Sequence, residues 1–217
     1  MSVDWEMILL GTIAVLFFGS FVWGIWWNVR KGNAFLRWLR EGLPLIGERS
    51  TMHWIGTTVI ELKMAKAKPP FRNTTTLVVL EPRDVFFLWA YSYWRGRRDL
   101  LIFRAQLHAA PALELEIFDP RVWTARDVER EVQSKGWMRL AIGSTQQLLA
   151  YQSGAADAGA PKALLALANS GGKLVRLSVR RAVPNLEVHW RLPDTKKDSA
   201  RDWFLKLRQL GESVTSE

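Results

Sequence analysis

The chain begins with one long run of apolar residues. From residue 7 to residue 27 (MILLGTIAVLFFGSFVWGIWW) none of the twenty-one side chains carries a charge. As a helix rising 1.5 Å per residue, this run spans about 31 Å, which matches roughly 30 Å of bilayer hydrocarbon. The pattern predicts one transmembrane helix over 7–27, preceded by a short exterior N-terminus of residues 1–6.

A cleaved secretory signal is the main alternative, because it too is an apolar run near an N-terminus. Such signals begin with basic residues, have an apolar core of about 7–15 residues and end at small residues. Here Asp4 and Glu6 precede the run, the core is longer, and it ends in bulky tryptophans. We therefore favour a retained anchor, with a buried helix of a soluble protein as the other alternative.

Basic residues follow the apolar run and set its expected orientation. Residues 28–72 contain nine Lys and Arg against three Asp and Glu, and no Lys or Arg precedes the run. Short segments rich in Lys and Arg stay on the cytoplasmic side of a membrane. We therefore expect a single-pass protein of the cell membrane, with the N-terminus outside and the C-terminal domain cytoplasmic.

Residues 28–47 form a basic juxtamembrane segment that we expect at the bilayer surface. Tryptophan favours the headgroup boundary, where its ring is apolar and its N–H stays hydrated. In NAFLRWLR (33–40) apolar residues alternate with arginines, which is typical of a surface helix, although packing on the soluble domain is the alternative. Gly42 and Pro44 should end this segment. The predicted membrane-interface residues are Trp23, Trp26, Trp27, Arg30, Lys31, Arg37, Trp38 and Arg40.

Beyond residue 47 the hydrophobic pattern predicts an α+β domain built on an antiparallel sheet. Alternation with a period of two marks strands, and capped stretches bounded by Gly or Pro mark helices. Strands are predicted over 58–64, 74–81, 100–107, 113–118, 137–142, 144–153, 173–179 and 186–191. Helices are predicted over 82–96, 124–135, 161–172 and 199–211, with a small-residue linker at 153–161.

The order of these elements suggests an internal repeat. A shift of 73 positions lays residues 100–118 over 173–191, with a proline at equivalent places in Pro111 and Pro184. The domain then consists of two β-β-α-β-β-α units, 48–136 and 137–217, with the helices on one face of the sheet. Few identical residues support the duplication, so chance similarity is the alternative.

Candidate chemistry is sparse. The absence of cysteine excludes disulfides and thiolate catalysis. The three histidines lie far apart and have no metal-ligand spacing, and no nucleophile or phosphate-loop motif occurs. Glu114 and Glu116 are expected on the solvent face of a strand. We predict no catalytic residue, metal or cofactor.

The aromatic segment FFLWAYSYW (86–94) is too short to span a bilayer. It is followed by three arginines at 95, 97 and 98. We expect a core helix whose cations favour its C-terminal dipole, with a second membrane contact as the alternative.

The formal charge of +9 is concentrated beside the predicted membrane span, which favours an anionic bilayer surface as a partner. Arg176, Arg180 and Arg191 share the outward register of the last hairpin and form a candidate surface for an anionic partner. Sheets that bind nucleic acid usually add exposed aromatic rings, and here the rings alternate inward, so nucleic acid is not favoured.

These features predict a single-pass membrane protein whose cytoplasmic domain is a binding or scaffolding module, such as an accessory subunit of a membrane complex. Its protein partner is not identified by any motif. Small residues at Ser20 and Gly24 admit a homo-oligomer through helix packing. A membrane-tethered enzyme with an unrecognised site and a membrane-tethered nucleic-acid-binding protein are the alternatives.

Overall fold

The computed structural model describes residues 5–142, 147–154 and 159–215. Its first element is a single helix, α1, Trp5–Gly42, which is 38 residues long and has no break. Among the described residues it is the one helix long and apolar enough to cross a membrane. A 3₁₀ turn, Leu43–Leu45, follows it, so the predicted stop at Gly42 and Pro44 is confirmed.

The second half of α1 belongs to the core of the domain rather than to its surface. Phe35, Leu36, Trp38 and Leu39 are buried, and Trp38 Nε1 donates a hydrogen bond to the Asp198 carbonyl oxygen at 2.6 Å. The expectation that NAFLRWLR lies along the membrane is therefore corrected: its apolar side chains pack on the domain. A hydrophobic stripe fits either surface, because both remove it from water.

Nine antiparallel strands form one sheet, which confirms the predicted α+β class. In chain order the strands are β1 Thr51–Ile55, β2 Val59–Met64, β3 Phe71–Val79, β4 Leu100–Leu107, β5 Leu115–Phe118, β6 Met138–Leu140, β7 Leu149–Gln152, β8 Leu174–Val179 and β9 Leu186–Arg191. Their spatial order is β1-β2-β3-β4-β9-β8-β5-β7-β6. The edge strand β1 was not predicted, and the linker predicted at 153–161 lies partly outside the described residues.

Four further helices complete the domain. They are α2 Phe86–Trp94, α3 Ala125–Ser134, α4 Gly159–Ser170 and α5 Ala200–Thr215. The prediction that Gly211 ends the last helix is wrong, because α5 continues through it. A β-carbon at Gly211 would lie 2.7 Å from Phe71 Cε1, so this glycine serves close packing inside the helix.

The helices cover both faces of the sheet, not one face as expected. The main core lies between one face and the C-terminal half of α1 with α4 and α5, and it includes Leu115 and Ile117 of β5. Phe118 is on the same strand but on the opposite face of the sheet. It packs with Ala125, Val128 and Val132 of α3. Helix α3 therefore covers the second face.

The strand order does not reproduce a simple duplication. In the first half β3 pairs with β4, whereas the equivalent strand of the second half, β7, pairs with β5 rather than β8. Moreover, the hairpin of β8 and β9 lies between β4 and β5, so the first proposed extended pair is not paired with itself. The repeat remains a prediction.

Trp190 on β9 is a test of how the core is packed. Its side chain is 1 % exposed, and its Nε1 donates to the Ala168 carbonyl oxygen of α4 at 2.8 Å. Trp190→Phe removes this donor and leaves a small void, so we expect the free energy of unfolding to fall by about 2 kcal/mol. Chemical denaturation of the full chain in detergent measures this loss. The same change at Trp123, which is 67 % exposed, should cost little, and equal losses at both sites would contradict the prediction.

Candidate functional site

Where α1 leaves the apolar run, one side of the helix packs on the domain. Gly24, Asn28 and Gly32 recur every fourth residue, so they share one helix face, and all three are buried. A β-carbon at Gly24 would lie 2.0 Å from the Arg83 carbonyl oxygen, so only glycine permits this approach. Gly24, one of the two small residues that suggested packing with a second helix, thus packs against the Arg83 segment of the same chain.

A group of buried and half-buried polar side chains joins α1 to the segment between β3 and β4. We call it the Asp99 cluster; its members are Asn28, Lys31, Glu81, Arg83 and Asp99. Arg83 donates hydrogen bonds to Asn28 Oδ1 at 3.1 Å and to both Asp99 carboxylate oxygens at 3.0–3.1 Å. Lys31 also pairs with Asp99, and Asn28 donates to the Glu81 carbonyl oxygen at 3.1 Å. The two cations and two carboxylates balance, so the cluster is a neutral, fully connected joint.

The ionisation of Asp99 depends on this joint. Burial alone would raise the pKa of the Asp99 carboxyl, but hydrogen bonds from Arg83 and Lys31, with their charges, outweigh burial and hold the pKa below its ordinary value. Asp99 Oδ1 also accepts the backbone N–H of Glu81 at 2.7 Å. The charged carboxylate therefore positions both α1 and the chain entering α2.

Helix α2 is almost entirely exposed, so the expectation of a core helix is wrong. Trp94 is 79 % exposed and Phe87 is 73 % exposed, and Ser92 is the one residue of α2 that is buried. The Trp89 indole N–H donates to Glu81 Oε2 at 2.7 Å, which ties α2 to the Asp99 cluster. Hydrophobicity alone could not distinguish this helix from a core helix.

A charged cavity of about 640 Å³ lies next to the Asp99 cluster. Its lining contains six cations and three carboxylates. Lys31 and Arg83 are paired with Asp99, and Arg121 is paired with Asp119 at 2.9 Å. The remaining cations, Arg98, Lys173 and Arg191, have no ion pair with any residue that the structure describes. We call this the basic cavity, and its formal charge is +3.

Arg191 shows the electrostatic character of the basic cavity. Burial, together with the charge of nearby Arg98, lowers the pKa of the Arg191 guanidinium below its ordinary value. Arginine nevertheless remains protonated in proteins, so these cations repel each other within a partly closed space. An anion bound there would relieve that repulsion.

Arg176 lines a cleft of about 160 Å³ together with Arg191, but Arg180 is not part of that cleft, so the structure reproduces the predicted surface of three arginines only in part. Arg176 and Arg180 meet at Glu116. Glu116 is fully buried between them, accepting from Arg176 Nε at 2.5 Å and from Arg180 Nη2 at 2.7 Å. Arg180 also pairs with Glu131 of α3 at 3.0 Å. These two arginines therefore neutralise carboxylates inside the fold, and Glu116 is not on a solvent face as expected.

Glu187 lies on the same face of the sheet and makes the stability of the domain depend on pH in the acid range. Burial would raise its pKa, but the hydrogen bond with His189 and the charges of Arg104 and Arg176 lower the pKa from 4.5 to about 2. The carboxylate therefore stabilises the fold above its ordinary pKa.

This stabilisation, on the order of 3 kcal/mol, should be lost as the pH falls from about 4.5 to about 2. Glu187→Gln should flatten the dependence of the unfolding free energy on pH over this range. Denaturation curves of the full chain at several pH values measure it. A variant whose curve has the slope of the parent chain would contradict the prediction.

Most of the predicted membrane-interface residues lie on the outer surface of α1. Trp23, Trp26 and Trp27 are 45–62 % exposed, and the Arg30 guanidinium lies 5.2 Å from the Trp26 ring centroid. Arg37 and Arg40 are exposed as well. Two residues differ: Trp38 is in the core, and Lys31 is partly buried against Asp99.

Sequence reasoning missed the residues that build this end of the domain, including Asn28, Arg83, Asp99 and Lys173. One signal was available, because Asn28 continues the four-residue spacing of Gly24 and Gly32 just after the apolar run. The partners from 81–99 could not be found, since no local pattern shows which distant segment a helix will contact.

The histidines and carboxylates of the described residues are dispersed over the fold. Within residues 5–142, 147–154 and 159–215, no group of three metal-ligating side chains comes together. His53 pairs with Glu61 at 2.7 Å on the edge of the sheet, and His189 pairs with Glu187 at 2.6 Å.

No protein-family model matches this chain, and no curated protein matches its sequence.

Proposed function

We propose that this protein is a single-pass membrane protein, with its N-terminus outside and its α+β domain in the cytoplasm. The domain serves as a binding or scaffolding module, and the protein acts as an accessory subunit of a membrane complex. The observation that carries this proposal is the unbroken course of α1 from the apolar run into the core.

The same helix supports retention of the anchor over cleavage. Gly24 and Asn28 lie in the last part of the apolar run and just after it, and both are buried against the domain. Cleavage at the end of the run would remove one half of this packing. Bulky tryptophans at the end of the run also take the place of the small residues at which signals are cleaved.

The basic cavity is the proposed binding point for an anionic group of the partner. Lys31 in its wall follows Trp27 by four residues, or about 6 Å along the helix, so the cavity opens near the headgroup level. Three cations without carboxylate partners favour an acidic side-chain cluster or a phosphate. The neutralised arginines of the sheet give no comparable surface for nucleic acid.

The first test is of membrane topology. Because the sequence contains no cysteine, each introduced cysteine is the one thiol of its variant. Trp5→Cys and Val183→Cys place one thiol at each end of the molecule, at positions that are 76 % and 63 % exposed. With a membrane-impermeant maleimide on intact cells, we expect labelling at position 5 and labelling at position 183 only after permeabilisation. The reverse pattern would overturn the orientation, and recovery of the chain in the soluble fraction would overturn the anchor.

Binding is the second test. Mass spectrometry of the detergent-solubilised chain should find a partner that is lost in Arg98→Ser with Arg191→Ser and retained in Arg130→Ser. Arg130 is exposed on α3, so the control also removes an arginine without changing the cavity. Equal recovery of every co-purifying protein from all variants would contradict a binding role for the cavity.

A further inference from the structure

Helix α2 exposes more apolar surface than a water-facing helix of its size can explain. Six of its nine residues are large apolar or aromatic side chains that are 48–79 % exposed: Phe86, Phe87, Leu88, Tyr91, Tyr93 and Trp94. Complete burial of one such side chain is worth about 1.5–3 kcal/mol. Contiguous exposed patches of this kind mark surfaces that meet a protein or a membrane.

The helix is held firmly in this exposed position. Trp89 is hydrogen-bonded to Glu81, which belongs to the Asp99 cluster. At its other end, Arg98 donates to the Tyr93 carbonyl oxygen at 2.8 Å and stacks 3.5 Å from the Tyr93 ring centroid. The exposed rings therefore project from a fixed frame.

The height of α2 along α1 identifies what its rings meet. The chain leading into α2 touches Gly24, which lies about 4 Å before the end of the apolar run at Trp27. A groove of about 450 Å³ between the two helices is lined by Ser20 and Trp23 from α1 and by Phe86 and Trp89 from α2. Ser20 lies about 10 Å before the end of the run. Helix α2 is therefore level with the last two turns of the apolar run.

We propose that α2 is embedded in the cytoplasmic leaflet of the bilayer, beside α1, as a second membrane contact. This inference rests on the proposed function, because it needs α1 to be in lipid. Nine residues are too few to cross the bilayer, so α2 lies in the interfacial layer. Tryptophan and tyrosine are the residues that favour this layer, and Arg95, Arg97 and Arg98 follow where anionic headgroups would be.

A second contact changes what the anchor does. A lone helix lets the domain rotate about the helix axis, whereas two attachment points fix which side of the domain faces the bilayer. The basic cavity includes Gly96 and Arg98, which directly follow α2, so embedding α2 holds the mouth of the cavity at the headgroups. The fold thus presents the cavity to the membrane surface in one orientation.

Quenching by lipids tests the proposal on the full chain in nanodiscs of phosphatidylcholine and phosphatidylglycerol. Single cysteines at Phe87 and Trp94 carry an environment-sensitive fluorophore, and spin-labelled lipids quench fluorophores that are in the bilayer. Phe18→Cys, which is 66 % exposed within the apolar run, reports on the anchor. Val183→Cys, in the turn at the far end of β9, is the matched control outside the bilayer.

We expect blue-shifted emission at positions 87 and 94, with lipid quenching several-fold stronger than at position 183. Strong quenching at 18 together with values at 87 and 94 equal to those at 183 would overturn the α2 proposal and leave the anchor standing. No quenching at 18 would overturn both. A blue shift at 87 and 94 without lipid quenching would assign the α2 face to a second copy of the chain, and would also overturn the proposal.

Discussion

Glu116→Gln should destabilise the domain by about 3–5 kcal/mol, because it removes the fully buried carboxylate that two half-buried guanidinium groups share. Glu116 is fully buried, and its two oxygens accept hydrogen bonds from Arg176, Arg180 and Ser178. The amide keeps the shape of the side chain and can accept only at one oxygen, so packing changes little while the charge balance is lost. Chemical denaturation of the full chain in detergent, followed by circular dichroism, measures the loss.

Glu114→Gln is the matched control, two residues earlier in the chain. Glu114 is partly exposed and accepts a hydrogen bond from the backbone N–H of Arg181 at 3.1 Å, which an amide oxygen can replace. We expect a loss below about 1 kcal/mol. Comparable losses for the two variants would show that Glu116 does not hold an interior charge cluster.

These two glutamates show which features of the fold the hydrophobic pattern predicts and which it does not. Alternation along 113–118 correctly predicts a strand and the inward face of Leu115 and Ile117. It also implies a solvent face for Glu116, and that step fails because α3 covers the second side of the sheet. Alternation reports which side chains share a face, but not what a distant helix places over that face.

Helices, like strands, were predicted correctly from local pattern, but the surroundings of their side chains were not. The amphipathic helix predicted over 124–135 is observed as α3, since its apolar stripe is a local property, although the Thr124 side chain makes no capping hydrogen bond. The aromatic run at 86–94 also forms the predicted helix, but its exposure could not be read from composition. A core helix and a helix beside a membrane both consist of apolar residues, and their surroundings are set by tertiary contacts.

The position of the candidate site along the chain was predictable, but its residues were predictable only in part. The charge beside the apolar run indicated a basic surface close to the end of that run, and Lys31 and Arg191 both line the observed basic cavity. Arg98 and Lys173 come from other parts of the chain and meet them only after the sheet has formed. Arg191 was grouped with Arg176 because they share the outward register of the β8–β9 hairpin. Arg176 pairs with Glu116, whereas no carboxylate of the described residues forms an ion pair with Arg191.

Asp99→Asn is the second substitution that we expect to have a large effect. It should lower the free energy of unfolding and also weaken the contact between α1 and the domain. The carboxylate of Asp99 holds Lys31 of α1 and Arg83 of the segment entering α2, and replacing it leaves Lys31 without an ion pair and Arg83 with Glu81 alone. Breaking a buried ion pair costs about 3–5 kcal/mol, so we expect a loss of that order in the free energy of unfolding. The contact between α1 and the domain should loosen before the sheet does.

Hydrogen exchange of the full chain in nanodiscs distinguishes this joint from general destabilisation. In Asp99→Asn we expect faster exchange at residues 28–32 and 86–94, with little change in the central strands β4 and β9. Asp119→Asn is the matched control, because its partner Arg121 is 64 % exposed and can turn to water when the charge is removed. Uniformly faster exchange throughout the domain, or the same local change in the control, would contradict a specific role. If exchange rises only beside α1 and α2, then a single carboxylate sets how rigidly the domain, and with it the basic cavity, is held to the helix that carries it.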